Sequence, residues 1–175
     1  SESHALLAGL SGGAIALGTA QLDAGAWLRA FAGLALSLPA GAAAARIFRH
    51  FLTGQVRRPA MWQRGAAALT ALLHGVQDGQ KFMALLMLTD TLAETQPFSR
   101  LTLALLTAGV MALGTALGGK PIVEKVGTEL AVLSPADGLA ADLGAGAVLL
   151  VCSALGLPAS TTHAKVSAIC GAGRG

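Results

Sequence analysis

The residues His74-Gly75-Val76-Gln77-Asp78-Gly79-Gln80-Lys81 lie between two apolar runs, Ala66-Ala67-Ala68-Leu69-Thr70-Ala71-Leu72-Leu73 and Phe82-Met83-Ala84-Leu85-Leu86-Met87-Leu88. Taken as one segment, 66–88 is long enough to cross a hydrocarbon core of about 30 Å, which needs about 20 helical residues. An acid, a base, a histidine and two amides then fall near the middle of the span. Insertion scales charge about 2.5–3.5 kcal/mol for a single Asp or Lys at that depth. Such a cluster persists only if it pairs internally, faces water or binds something. Gly75 and Gly79 flank the amide and the acid, and they predict an unwound stretch whose free backbone groups could reach a ligand. The plainer alternative is an Asp78–Lys81 ion pair at i,i+3 that neutralises itself. That pair accounts for two charges but not for both glutamines, both glycines and His74 together. His74 alone reads equally well as a group that satisfies a backbone carbonyl.

The rest of the chain suits the same solvent. Of its 175 residues 54% are hydrophobic and only 12% are charged, with a mean hydropathy of +0.65, whereas a soluble domain carries about 25% charged residues. The 23 glycines fit close helix contacts in lipid. The net charge of +3 does not read as nucleic-acid binding, because the basic residues cluster in one loop between apolar runs, which is a topology signal. Cys152 and Cys170 lie inside apolar segments and read as small packing residues.

Six apolar segments follow one another, at 4–20, 26–45, 66–88, 101–118, 138–156 and 160–173. The second, third and fourth are long enough to span, and the others are short or borderline. The connection 46–64 holds Arg46, Arg49, Arg57, Arg58 and Arg64 without an acid, whereas 89–100 holds Asp90, Glu94 and only Arg100. The excess of arginine places 46–64 in the cytoplasm and 89–100 outside, and 119–137 follows the inside only weakly. An all-α, polytopic membrane protein results, located in the plasma (inner) membrane and surrounded by lipid.

A second polar island is Gly156-Leu157-Pro158-Ala159-Ser160-Thr161-Thr162-His163. Pro158 ends one helix, and Ser160 or Thr161 is a natural N-cap for the next. Apolar runs on both sides predict two helices meeting at a polar break, as in a re-entrant hairpin or a broken helix, which is tolerated at membrane depth only beside a cavity or inside protein. Three hydroxyls beside the positive end of a helix suit a tetrahedral oxyanion; ordinary capping is the alternative. Ser1-Glu2-Ser3-His4-Ala5, followed by Gly12, repeats the pattern of Ser160-Thr161-Thr162-His163-Ala164, followed by Gly171, at an offset of 159 residues. Duplicated halves mark secondary transporters. The offset predicts a partner for the cluster near residue 74 upstream of Ser1, in an N-terminal part of the same transporter. Glu2 stands where the second copy has Thr161 and could ligate a cation or carry a proton. Lys165, one turn past the cap, could add positive charge to an anion site or snorkel to an interface.

These boxes resemble the PiT inorganic phosphate transporters. Residues 74–81 are similar to that family's HGxND(A/V)QK signature. Gly118-Gly119-Lys120-Pro121-Ile122-Val123-Glu124-Lys125-Val126-Gly127 is similar to its following glycine loop, and residues 156–164 to its G(L/V)PVSTTHA box. Residues 1–4 resemble the corresponding box of the first repeat. The resemblance implies an inverted-repeat fold in which 1–45 end the first repeat, 46–65 form a basic loop, and 66–175 form the second repeat. It implies a symporter of inorganic phosphate with Na⁺ or H⁺, which needs no cofactor and converts nothing chemically. By position it places Gln77, Asp78, Ser160, Thr161, Thr162, Ser1, Glu2 and Ser3 at the substrate; of these, Gln77 and the hydroxyls are expected to take phosphate, and Asp78, a Na⁺ ligand in that case, and Glu2 the coupling ion. His74, Gln80, Lys81, His163 and Lys165 are supporting candidates, and a homodimer is a further expectation. Gln77 replaces the usual Asn, and Glu2 replaces a hydroxyl. Competing functions are a sulfate or other oxyanion permease on the same fold, a membrane accessory subunit that conducts nothing, and an enzyme acting on phosphate esters. For the last, no nucleophile and base or metal ligands occur at suitable spacing.

Overall fold

The computed structural model describes residues 2–18, 23–52, 54–92, 98–125 and 133–173, and all that follows concerns these. Six helices occupy the six apolar segments: α1 Glu2–Ala16, α2 Ala24–Leu52, α3 Pro59–Leu92, α4 Arg100–Lys125, α5 Pro135–Ala154 and α6 Thr161–Ala172. The described residues contain no strand, as expected of an apolar chain that must satisfy its backbone within each segment. α2, α4 up to Pro121, and α5 are long and apolar enough to cross a membrane. The sequence picked α2, α3 and α4 for that role and rated α5 short or borderline; α5 is apolar enough and α3 is not among the three. α3 is the longest helix, and its polar centre lowers its hydropathy.

Two expectations are corrected. α3 is helical without interruption through Gly75 and Gly79. The Ala- and Leu-rich flanks propagate the helix, since each further residue adds one backbone bond for one residue fixed, and the polar side chains find partners of their own. α4 likewise continues past Gly118 and Gly119 to Lys125, so the stretch expected to begin a glycine loop is helical, with Pro121 inside it. A proline in the last turns removes few ladder bonds.

The polar break is a tight reversal. α5 ends in a Schellman motif: Leu157 N–H donates to Cys152 O at 2.8 Å and Gly156 N–H to Ser153 O at 3.2 Å. Gly156 takes φ +63°, which a side chain would resist. Ser160 then caps α6, its Oγ accepting from His163 N–H at 3.2 Å. α5 and α6 therefore form a hairpin, and its two open ends meet at one residue of α2. Arg49 Nε lies 3.2 Å from Asp137 Oδ1 at the start of α5, and Arg49 Nη1 donates to Gly173 O after α6 at 3.0 Å. The broken-helix alternative is set aside in favour of the hairpin.

Small residues let α2 press into this hairpin. A methyl group on Gly171 would stand 2.3 Å from Ala42 O, and one on Gly144 would stand 2.5 Å from Ala45 N. Neither fits without moving backbone. Ala45, Ala140, Ala141, Ala145, Ala168 and Ala172 pack here as one buried cluster with Ile169. In lipid no hydrophobic force separates helix from solvent, so close van der Waals approach of this kind holds the helices together. α4 differs: Leu101, Leu105, Val110, Leu113 and Leu117 are all exposed.

Candidate functional site

The two polar islands of the sequence meet. Asp78, buried in the middle of α3, is held on three sides. Lys81 Nζ, one turn on, donates to its Oδ1 at 2.8 Å, and His74 Nε2, one turn back, lies 2.9 Å from its Oδ2. From across the helix pair, Thr161 Oγ1 lies 3.3 Å from Oδ2 and 3.5 Å from Oδ1. The i,i+3 pair anticipated from the sequence is present, but it does not close on itself. Lys81 Nζ also donates to Ser3 Oγ at 2.9 Å and to Ala159 O at 3.0 Å. Ser3 Oγ in turn lies 3.3 Å from that carbonyl. The ammonium is thus ringed by oxygens from α1, α3 and the α5–α6 turn. A charge this deep is tolerable because it is paired and fully hydrogen-bonded.

The two hydroxyl boxes related by the 159-residue offset face each other. Ser3 reaches the residue before Ser160, and the rings of His4 and His163 lie 5.2 Å apart. Nδ1 of His163 is buried with no hydrogen-bond partner among the described residues. Beyond its first turn α1 is largely exposed. Ser1 lies outside the described residues.

The remaining candidates divide. Gln77 is buried, and its Nε2 donates to Ser153 Oγ at 3.0 Å. Ser160 and Thr161 are buried at the α6 N-terminus, whereas Thr162 is exposed. Glu2, His74, Asp78 and Gln80 line a cleft of about 960 Å³ between α3 and α4, whose far wall is formed by Thr107, Met111 and Thr115. Lys165 stands apart from this group, paired with Asp142 of α5. It neither snorkels nor reaches the hydroxyls.

Two contributors to the site were missed in the sequence, Ser153 and the carbonyl of Ala159, and so was Asp142, the partner that draws Lys165 away from it. Ser153 was detectable as a hydroxyl in an apolar run just before the break. Asp142 likewise stands alone in an apolar run, but nothing in the spacing links it to Lys165, 23 residues on. A loop carbonyl has no signature in side chains.

The arrangement offers both signs of charge at one place. A carboxylate and neutral oxygens suit a hard cation. The α6 N-terminus and the Lys81 ammonium suit an oxyanion. Comparison with known proteins fits this duality. The phosphate transporter family model matches residues 60–175. A Mycobacterium tuberculosis protein named "Probable low-affinity inorganic phosphate transporter" is 32% identical over 139 residues, which are 77% of this chain and 31% of that protein. One of the same name from Bacillus subtilis is 34% identical over 110 residues, 61% of this chain and 33% of that protein. A Toxoplasma gondii "Sodium-dependent phosphate transporter" is 43% identical over 63 residues, 36% of this chain and 7% of that protein. The chain thus spans about a third of the length of the bacterial relatives. No solved structure matches it significantly. On the family match across its last two thirds, with the all-helical, membrane-compatible fold beneath it, the chain belongs to the phosphate transporter family.

Proposed function

We propose that this chain forms part of a secondary carrier that moves inorganic phosphate across the membrane together with Na⁺ or H⁺. The observation that carries this reading is the convergence at Asp78, where a buried carboxylate, a hydroxyl at a helix N-terminus and an ammonium share one network beside an open cleft. Phosphate is taken by the α6 N-terminus with Ser160, Thr161 and Ser3, and Gln77 positions the amide side of the site. Ser1 and Thr162 are assigned to the same site by the hydroxyl boxes alone. The coupling ion is taken by Asp78. Its further ligands are side-chain and loop oxygens, those of Thr161, Ser3 and Ala159, because α3 offers no unwound carbonyl. Glu2, on the cleft wall, is the second acid of the ion path.

In this reading Lys81 links the two ions. Its ammonium now occupies the oxygen cage where a small cation would bind. A cation or proton arriving at Asp78 releases the ammonium, which then adds its charge to the phosphate. Each ion raises the affinity for the other, as reciprocal coupling requires. The stretch 46–64, expected as one loop, is in fact the end of α2, a short connection and the start of α3; this end of the two helices is assigned to the cytoplasmic side and the carrier to the plasma membrane.

The test is radiolabelled phosphate uptake by the complete carrier, with Na⁺ and pH varied independently and sulfate as competitor. The reading expects uptake that depends on one of the two cations and resists sulfate. Lys81→Met is expected to weaken the dependence of phosphate affinity on the cation while leaving a folded protein. Proteoliposomes without anion flux would instead indicate an accessory subunit, and equal inhibition by sulfate would indicate a general oxyanion permease.

A further inference from the structure

The turn between α2 and α3 bounds a second cavity, which shares no lining residue with the cleft at Asp78. A groove of about 580 Å³ opens where the end of α2, the start of α3 and the start of α5 meet. Its walls are mostly apolar, Leu52, Val56, Ala66, Leu69, Leu139 and Leu143 with Gly65 and the amide of Gln55 among them, and its mouth holds Arg57 and Trp62. Arg58 and Arg64 flank that mouth in the chain, and both are exposed, as Arg57 is. None of the three guanidinium groups has an ion-pair partner among the described residues. Trp62 is likewise exposed. It stands near the start of α3, at the end of a transmembrane bundle where an amphipathic ring meets the headgroups.

We infer that this groove holds one anionic phospholipid, with an acyl chain against Leu69 and Leu143 and the phosphodiester on Arg57, supported by Arg58 and Arg64. The two halves of the feature require a ligand that is apolar at one end and anionic at the other. Free phosphate would leave the apolar walls without a partner. A second copy of the chain would bring the same unpaired arginines against each other. A zwitterionic lipid would fill the walls, but its own cation would offset its phosphate before the arginines. Basic pockets between transmembrane helices select anionic headgroups by this charge complementarity.

Native mass spectrometry of the complete carrier, released from vesicles of phosphatidylglycerol and phosphatidylcholine in equal parts, tests the inference. Phosphatidylglycerol should be retained in clear preference. Replacing Arg57, Arg58 and Arg64 by Gln should lower its retention by roughly fivefold for each arginine, the factor one basic residue near an anionic surface contributes. Lysine at the same positions should keep most of the retention. Leu69→Trp fills the groove without touching charge and should also lower retention, which separates a built site from general attraction to an anionic surface. Equal retention of the two lipids would overturn the inference in the unaltered protein, whatever the variants do. So would unchanged retention in the glutamine triple variant or in Leu69→Trp, displacement of the lipid by millimolar inorganic phosphate, or a dimer mass carrying no lipid.

Discussion

Two buried carboxylates, Asp78 on α3 and Asp142 on α5, meet one lysine each, yet their surroundings differ in kind. Asp78 lines a cleft and sits in a network drawn from α1, α3, the α5–α6 turn and the first residue of α6. Asp142 faces Lys165 within the α5–α6 hairpin, and its backbone carbonyl accepts from Thr70 Oγ1 at 2.8 Å. Around it the helices close on glycine and alanine, and neither Asp142 nor Lys165 lines either of the two cavities described above. A buried ion pair is by itself weak evidence for anything, because desolvation offsets most of the attraction. What separates the two is access and partner number. Asp78 can exchange its lysine for another cation arriving through the cleft. Asp142 can only lose its partner.

The largest effect should come from Asp78→Asn. The amide keeps the shape and removes the charge that faces Lys81 and the coupling ion. Breaking a buried, hydrogen-bonded charge pair costs about 2–5 kcal/mol, which corresponds to a loss of roughly thirtyfold to several thousandfold in cation-driven phosphate uptake. Uptake kinetics in the complete carrier measure this, and ion-coupled uptake at the unaltered rate would remove Asp78 from the mechanism.

Asp142→Ala tests the other side of the comparison. It leaves Lys165 without its carboxylate; because the lysine side chain is 36% exposed and water can reach the ammonium, the loss falls below the roughly 3–5 kcal/mol of breaking a fully buried pair. The expected reading is a lower melting temperature in detergent. The double variant Asp142→Leu with Lys165→Met should recover most of that stability, because an apolar pair of similar volume is often neutral or better than a buried ion pair. It should transport phosphate with an unchanged KM. If the stable double variant has lost phosphate affinity, the distinction between the two acids collapses.

Particular residues show how much of this was open to reading from sequence. The six helices and their order followed from apolar runs, and the break between α5 and α6 followed from Pro158 and the hydroxyls after it, because these signals are local; whether the break made a hairpin or a broken helix did not follow. That Asp78 and Lys81 meet was also legible, since i,i+3 neighbours on a helix meet wherever the helix lies, although the network that extends from both was not. The glycines misled. Gly75 and Gly79 permit unwinding, but permission is not cause, and both simply leave open space beside α3. Lys165 misled for a different reason. Its partner is chosen by how tightly α5 packs on α6, and that depends on which small residues face each other rather than on anything near Lys165. The groove under Arg57 was equally closed to sequence reading, since its walls come from three separate segments.

The smallest effect should come from Gln77, whose amide reaches Ser153 on α5. Gln77→Asn shortens the side chain by one methylene, too short to hold the 3.0 Å bond, and leaves both groups half-satisfied next to the site. One neutral hydrogen bond is worth about 1 kcal/mol, so KM for phosphate should rise roughly fivefold while kcat holds. Thr70→Val is the matching change beside Asp142. It removes the hydroxyl that bridges Ala66 O and Asp142 O, and should lower stability by a similar amount without moving KM. The pair of variants isolates the same chemical loss on the two sides of the molecule. A change in KM from both would mean that α5 transmits strain to the phosphate site. A change from Gln77 alone would mean that Ser153 holds the glutamine amide in register with Asp78, so that this lone hydroxyl before the helix break belongs to the site as a positioning residue.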